Sequence, residues 1–138
     1  MTDVPALARE LGLEPHPEGG WYRETWRSPV EVVLPDGRHR SSATLIWFLL
    51  PSGASSAWHR VRSDEIWLAH TGSVHLELGG SGSEPERLTS LTVGTRNGEV
   101  TQAVVPAGTW QRTVPAPSDA LVSCLVSPGF DFDDFELA

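Results

Sequence analysis

Apolar residues in this chain come in short runs, several alternating with polar ones, separated by clusters of Gly, Pro, Ser and Asp. The clearest alternation is Ser73–Leu78. Val74, Leu76 and Leu78 share one face and Ser73, His75 and Glu77 the other, the period of a half-buried strand. Ser42–Leu50 becomes apolar on both faces toward its end, which suits a strand buried between two layers or at an interface between copies. Trp21–Trp26, Glu31–Leu34, Ala57–Val61, Glu65–Thr71, Leu88–Val93, Val100–Val105 and Leu121–Val126 read as further strands. Turns are expected at Pro35-Asp36-Gly37, Pro51-Ser52-Gly53, Arg62-Ser63-Asp64, Arg96-Asn97-Gly98 and Pro106-Ala107-Gly108, and a flexible loop at Gly79–Ser83. Only residues 3–12 carry helical spacing, with Asp3 as cap, Pro5 in the first turn, Leu7 and Leu11 on one face and Gly12 as the stop. Pro15–Gly20 holds two prolines and two glycines and is expected to be a shaped loop. The tail from Pro128 alternates Phe130, Phe132 and Phe135 with acids and is expected to pack back onto the body. About eight to ten short strands predict an all-β sandwich or barrel with a short N-terminal helix. No repeat or linker interrupts the pattern, so residues 1–138 are read as one domain.

Composition narrows the function classes. With 39% apolar residues and six Trp the chain can bury a core unaided. Its single cysteine, Cys124, excludes an intramolecular disulfide, fits a reducing compartment and sits in an apolar run, where a buried small hydrophobe is the expectation. A net charge of −8 with no basic cluster argues against nucleic acid as partner. No apolar run is long enough for a membrane span, and the N-terminus lacks the regions of a signal peptide, so the expected location is the cytoplasm and no membrane partner is expected. P-loop, dinucleotide, nucleophile-elbow and paired Cys-x-x-Cys patterns are missing from the sequence.

Gly53, His59, Val61, Glu65 and Gly72 fit the spacing G-x5-H-x-H-x3-E-x6-G, with Val61 where a second histidine belongs. Pro106-Ala107-Gly108 supplies the P-x-G of a second signature, in which Gln111 stands at the histidine and Pro115 at the asparagine. These motifs resemble the two signatures of the cupin superfamily. The blocks Leu11–Thr25, His59-Arg60, Ser63–Trp67, Val105–Gln111 and Ser127–Leu137 resemble, in order, the short cupins of family 5. The resemblance implies a double-stranded β-helix, or jelly roll, a homodimer, and a shape similar to sugar-nucleotide epimerases of the dTDP-4-dehydrorhamnose type. It also implies that two of four usual metal ligands, replaced by Val61 and Gln111, are lost.

If the cupin register holds, His59 and Glu65 point into the barrel. His59 is a candidate general base that Glu65 would orient; an ion pair in the barrel wall is the alternative. Tyr22, the only tyrosine, is a candidate acid or else an interface residue with its hydroxyl in water. Arg23 is a candidate anion clamp, or a surface partner of Glu24 or Glu18. Gln111 would hold a polar substrate, Trp67 would stack on a ring, and His16, rigid between prolines, would line the rim or face solvent. A metal-free site is expected; a weakly bound divalent ion would use His59, Glu65 and Gln111. The expected activity is a metal-independent isomerase or epimerase moving protons on a polar carbonyl or sugar-like small molecule. A non-catalytic ligand-binding cupin and a metal-dependent cupin with an incomplete ligand set are the alternatives.

Overall fold

A computed structural model describes residues 4–138. It contains one helix, α1 (Ala6–Leu11), and thirteen strands: β1 (Glu14–Pro15), β2 (Trp21–Arg27), β3 (Glu31–Val33), β4 (His39–Ser41), β5 (Thr44–Leu50), β6 (His59–Arg60), β7 (Asp64–Thr71), β8 (Val74–Leu78), β9 (Thr89–Val93), β10 (Gln102–Val105), β11 (Gln111–Val114), β12 (Ala120–Ser127) and β13 (Glu136–Leu137). A six-stranded sheet of order β1-β2-β5-β12-β7-β10 faces a five-stranded sheet of order β13-β6-β11-β8-β9, and β3-β4 forms a side hairpin. The alternation predicted an all-β sandwich or barrel, and the form it takes is the jelly roll that the resemblance implied. No helix among the described residues is long and apolar enough to cross a membrane.

The helix starts later than its spacing suggests. Pro5 occupies the N-cap without a side-chain bond, Gly12 ends the helix at φ 70°, and Asp3 lies outside the described residues. Four strands are not predicted by the sequence pattern: β1, β4, β11 and β13. Gln111–Val114 is only four residues long, and β13 lies in the tail, where it pairs with β6. The Gly79–Ser83 loop is tied down, since Gly82 O accepts bonds from both Arg60 Nη1 and Trp110 Nε1 at 2.9 Å.

The inner space has two ends. Phe48, Leu50, Trp67, Val74, Leu76, Val93, Ala103, Val105, Ala120, Val122 and Cys124 fill one end as a dry core. At the other end Thr44 of β5 and Val126 of β12 line a cavity instead. The outer face of β5 explains its second apolar side: Leu49 packs with Ala8 and Leu13, with Trp47 and Trp21 alongside, so α1 covers part of that face.

Candidate functional site

The Pro15–Gly20 loop builds one wall of the cavity. Its backbone closes on itself through His16 N–H to Gly20 O and Gly19 N–H to His16 O, at 2.9 and 3.0 Å. Gly19 and Gly20 have φ of 108° and 78°, and a Cβ on Gly20 would meet the Phe48 ring at 2.6 Å, so only glycine lets the loop lie this close to the sheet. Glu18 O then accepts the Ala57 N–H at 2.7 Å, and the Glu18 side chain is turned inward.

His59, on β6, is 3% exposed and lines the same cavity of roughly 430 Å³. Its Nδ1 lies 2.8 Å from Ala57 O and 2.6 Å from Glu18 Oε2. A single N–H cannot align with both. The carbonyl takes the directed bond, and Glu18 Oε2 is left as a buried oxygen in charge contact with the ring but without an aligned hydrogen bond. The other nitrogen, Nε2, has no partner among the described residues and is not occluded, so it opens to the cavity. Burial pulls the His59 pKa down, but the Glu18 carboxylate held against Nδ1, the Glu65 charge and the Ala57 carbonyl together outweigh it, and the net shift is upward.

His16 is shifted the opposite way. Burial lowers its pKa, Glu18 partly offsets this, and His59 lowers it further. Its Nδ1 accepts the Glu18 N–H at 3.1 Å, so the neutral ring carries its proton on Nε2. Tyr22 packs edge-on against His16 with centroids 4.6 Å apart. Burial, with the Glu14 carboxylate beside it, pushes the Tyr22 phenol up, so it keeps its proton across the ordinary pH range.

Glu65 lines the cavity at its inner end but does not orient His59; Glu18 does. The carboxyl of Glu65 accepts Gln111 Nε2–H at 2.7 Å, and Gln111 Oε1 accepts Trp67 Nε1–H at 2.9 Å. The indole can only donate, which fixes the amide orientation. Gln111 and Trp67, 0% and 1% exposed, therefore brace Glu65 from behind and do not line the cavity. Burial raises the Glu65 pKa, with His59 pulling it back and Glu18 pushing it further up. Cys124 lies on the same side, buried, and burial followed by the Glu65 charge lifts its thiol well above the usual range, so it is no nucleophile.

Arg23 is not at the cavity. Strand alternation turns it to the outer face, where Nη1 donates to Leu11 O at 3.1 Å and satisfies the last carbonyl of α1. Arg27 lines the cavity instead. A bulge between Glu24 and Trp26 shifts the register so that Trp26 opposes Leu45 on the outside and Arg27 opposes Thr44 on the inside. Arg27 forks onto Glu24 at 2.7 and 2.9 Å. The tail forms the roof: Phe130, Phe132 and Phe135 line the cavity, Phe135 stacks on His59 at 5.6 Å, and Asp134 anchors the segment to Arg38 and Arg40.

Of the residues expected at the site, the structure brings His16, Tyr22, His59 and Glu65 to one cavity. Glu18, the only carboxylate touching His59 among the described residues, was not anticipated there, nor were Glu14, Glu24, Arg27 and the three Phe. The signal for Glu18 was its place in the loop whose glycines force close approach. The donor set does not fit a cupin metal. Val61 is apolar, the Gln111 carbonyl is spent on Trp67, and no group of three His, Cys, Asp or Glu among the described residues is placed to hold an ion.

Comparison with known proteins agrees with this architecture. Residues 5–138 match the family model Cupin_5, Cupin superfamily (DUF985). An uncharacterised Saccharomyces cerevisiae protein, YML079W, is 32% identical over 96% of this chain and 74% of its own length. A hypothetical protein from Leishmania major superposes with a TM-score of 0.84 at 35% identity, covering 95% of this chain and 84% of that one. The Shewanella oneidensis protein SO0799 gives 0.83 at 36% identity, covering 100% and 85%. The chain therefore belongs to the Cupin_5 family of the cupin superfamily.

Proposed function

We propose that the cavity is the active site of a metal-independent isomerase or epimerase, which moves a proton α to the carbonyl of a polar, sugar-like small molecule. The observation that carries the reading is the pair of histidines sharing Glu18, with their pKa values displaced in opposite directions. Environments that push two titratable groups apart assign them different jobs. His59, made more basic by Glu18 behind Nδ1, takes the proton with Nε2. His16, kept neutral, offers Nε2–H to the oxygen on which charge develops. Tyr22 keeps its proton and returns one to the other face. Glu65 stays as the inner wall, held by Gln111 and Trp67.

The test is deuterium wash-in. Aldoses, ketoses and amino sugars are incubated with the protein in heavy water and followed by proton NMR. Loss of a proton signal α to a carbonyl, dependent on wild-type protein, is the expected result. Line broadening or thermal stabilisation by a ligand with no exchange would make the protein a binder instead.

The proposed assembly is a homodimer. Trp26, Leu45, Leu125, Ile66 and Val104 oppose one another in register and form an apolar row across five strands of the outer face. Trp26 and Val104 are exposed at 48% and 58%. A second copy seated on this row would bury them. Light scattering at micromolar concentration should give twice the chain mass, and a monomer there would sink the dimer.

A further inference from the structure

We propose that the cavity takes a small organic cation, a hydroxylated ammonium compound of the amino-sugar kind, in preference to an anion. This rests on the cavity being a ligand site, not on its turning the ligand over. Five carboxylates line it: Glu14, Glu18, Glu24, Glu65 and Asp131. Arg27 is the one guanidinium among the lining residues, and it is spent on Glu24 and on Phe130 O at 3.3 Å. Glu14 and Asp131 form no ion pair among the described residues; Asp131 Oδ1 only caps the short helical turn at Phe132–Asp134 by accepting the Asp133 N–H. Granting Glu65 its proton and His59 its charge, four carboxylates still face two cations.

Acids alone would not make a site. The second observation is Glu18 itself, whose side chain is 8% exposed and lines the cavity, and whose occluded Oε2 has His59 Nδ1 at 2.6 Å as a charge contact but no aligned donor. A buried carboxylate short of aligned donors gains from a positive or hydrogen-donating group brought into the space beside it. The third is the roof. Phe130, Phe132 and Phe135 meet edge to face with centroids 4.9 to 6.3 Å apart, and Tyr22 continues the aromatic wall through His16, whose ring lies 6.0 and 5.7 Å from Phe132 and Phe135. Aromatic rings lining a cavity together with carboxylates are the surroundings that hold an ammonium group, while the hydroxyls of a polyol can donate to the same carboxylates. A phosphate or carboxylate ligand would find no unpaired guanidinium and would enter against the net charge of −8.

The test is calorimetric binding to the whole chain at about pH 6.5, where a sugar amine is protonated. The probes are glucosamine, its neutral counterpart N-acetylglucosamine, the anion glucuronate, and tetramethylammonium. Glucosamine is expected to bind about tenfold tighter than N-acetylglucosamine, with glucuronate weaker still. The double substitution Glu14→Gln, Asp131→Asn keeps shape and cap, and should shrink the ratio of glucosamine to N-acetylglucosamine affinity several-fold. Glucuronate binding as tightly as glucosamine overturns the proposal, and so does the absence of binding by both cations. Failure here is separable from failure of the proposed activity. Deuterium exchange into a neutral or anionic sugar would keep the isomerase and lose the cation. Glucosamine binding without exchange would keep the cation and lose the isomerase.

Discussion

Two polar networks sit a few side chains apart in the same barrel and are built on opposite terms. In the inner one, Trp67, Gln111 and Glu65 hand hydrogen bonds from indole to amide to carboxyl, and both ends of the amide are used. In the outer one, His16 and His59 crowd around one carboxylate, Glu18, that has more charge contacts than aligned bonds. A saturated buried network specifies packing, whereas an under-saturated one keeps bonding capacity for something that is not part of the chain. The difference also explains why half of the cupin ligand positions are silent. Gln111 has been absorbed into the inner network, and Val61 only walls the cavity.

The sharpest way to break this contrast is to cut each network once. His59→Gln should lower the deuterium wash-in rate by about 10²–10⁴-fold, the usual worth of a positioned base, with the melting temperature little changed at alkaline pH, where the wild-type ring is neutral. Trp67→Phe should do the reverse. It strands Gln111 Oε1 inside the core and should cost about 1–3 kcal/mol in urea unfolding, with exchange kept within about threefold. If both variants lost activity and stability alike, the two networks would be one, and the outer one would be structural.

Titration gives a second, smaller contrast. The folded-state pKa of His59 lies above its unfolded value, so its contribution to stability is complete below about pH 6.5 and is lost as pH rises through the folded pKa. Glu18→Gln removes the largest of the influences that raise it. This variant should be less stable than wild type at acid pH and approach it at alkaline pH, and NMR titration of His59 should move to lower pH. The pH at which wash-in sets in should fall with it, because the base must be neutral to act. Glu65 is also raised, so its favourable term is present below about pH 4.5 and is lost as pH rises through its folded value. Glu65→Gln should therefore gain on wild type as pH increases, by up to a few kcal/mol. A flat stability difference across pH in either variant would contradict the assigned shift.

These contrasts mark where the sequence was legible. Period-two alternation located the strands that carry the core, and the spacing of Gly53, His59, Glu65 and Gly72 placed both titratable residues on inward faces. Glu18 was not legible as a partner of His59, because 41 positions separate them and the loop's path depends on Gly19 and Gly20 meeting Ser55 and Phe48. Gln111 looked like a substrate group because its position in the motif says that it points inward. Position does not say that an indole from the facing sheet will claim its oxygen. The bulge in β2 was equally hidden, since nothing in Glu24-Thr25-Trp26 marks the extra residue that turns Arg27 inward.

The smallest effect separates the two arginines of that strand. Without the bulge, alternation would put Arg23 and Arg27 on the same outer face. The register shift separates them, so Arg23 caps α1 from outside while Arg27 reaches the cavity. Arg23→Ala should therefore cost less than about 1 kcal/mol, the worth of one exposed bond to a helix-terminal carbonyl, and leave ligand affinity unchanged. Arg27→Ala should instead release Glu24 from its only ion pair among the described residues. The cavity becomes more negative, and cation affinity should rise several-fold in calorimetry even as the mouth loses a side chain. Unchanged cation affinity in Arg27→Ala, as in Arg23→Ala, would mean that β2 runs without its bulge in solution and that Arg27 lies on the outer face beside Arg23.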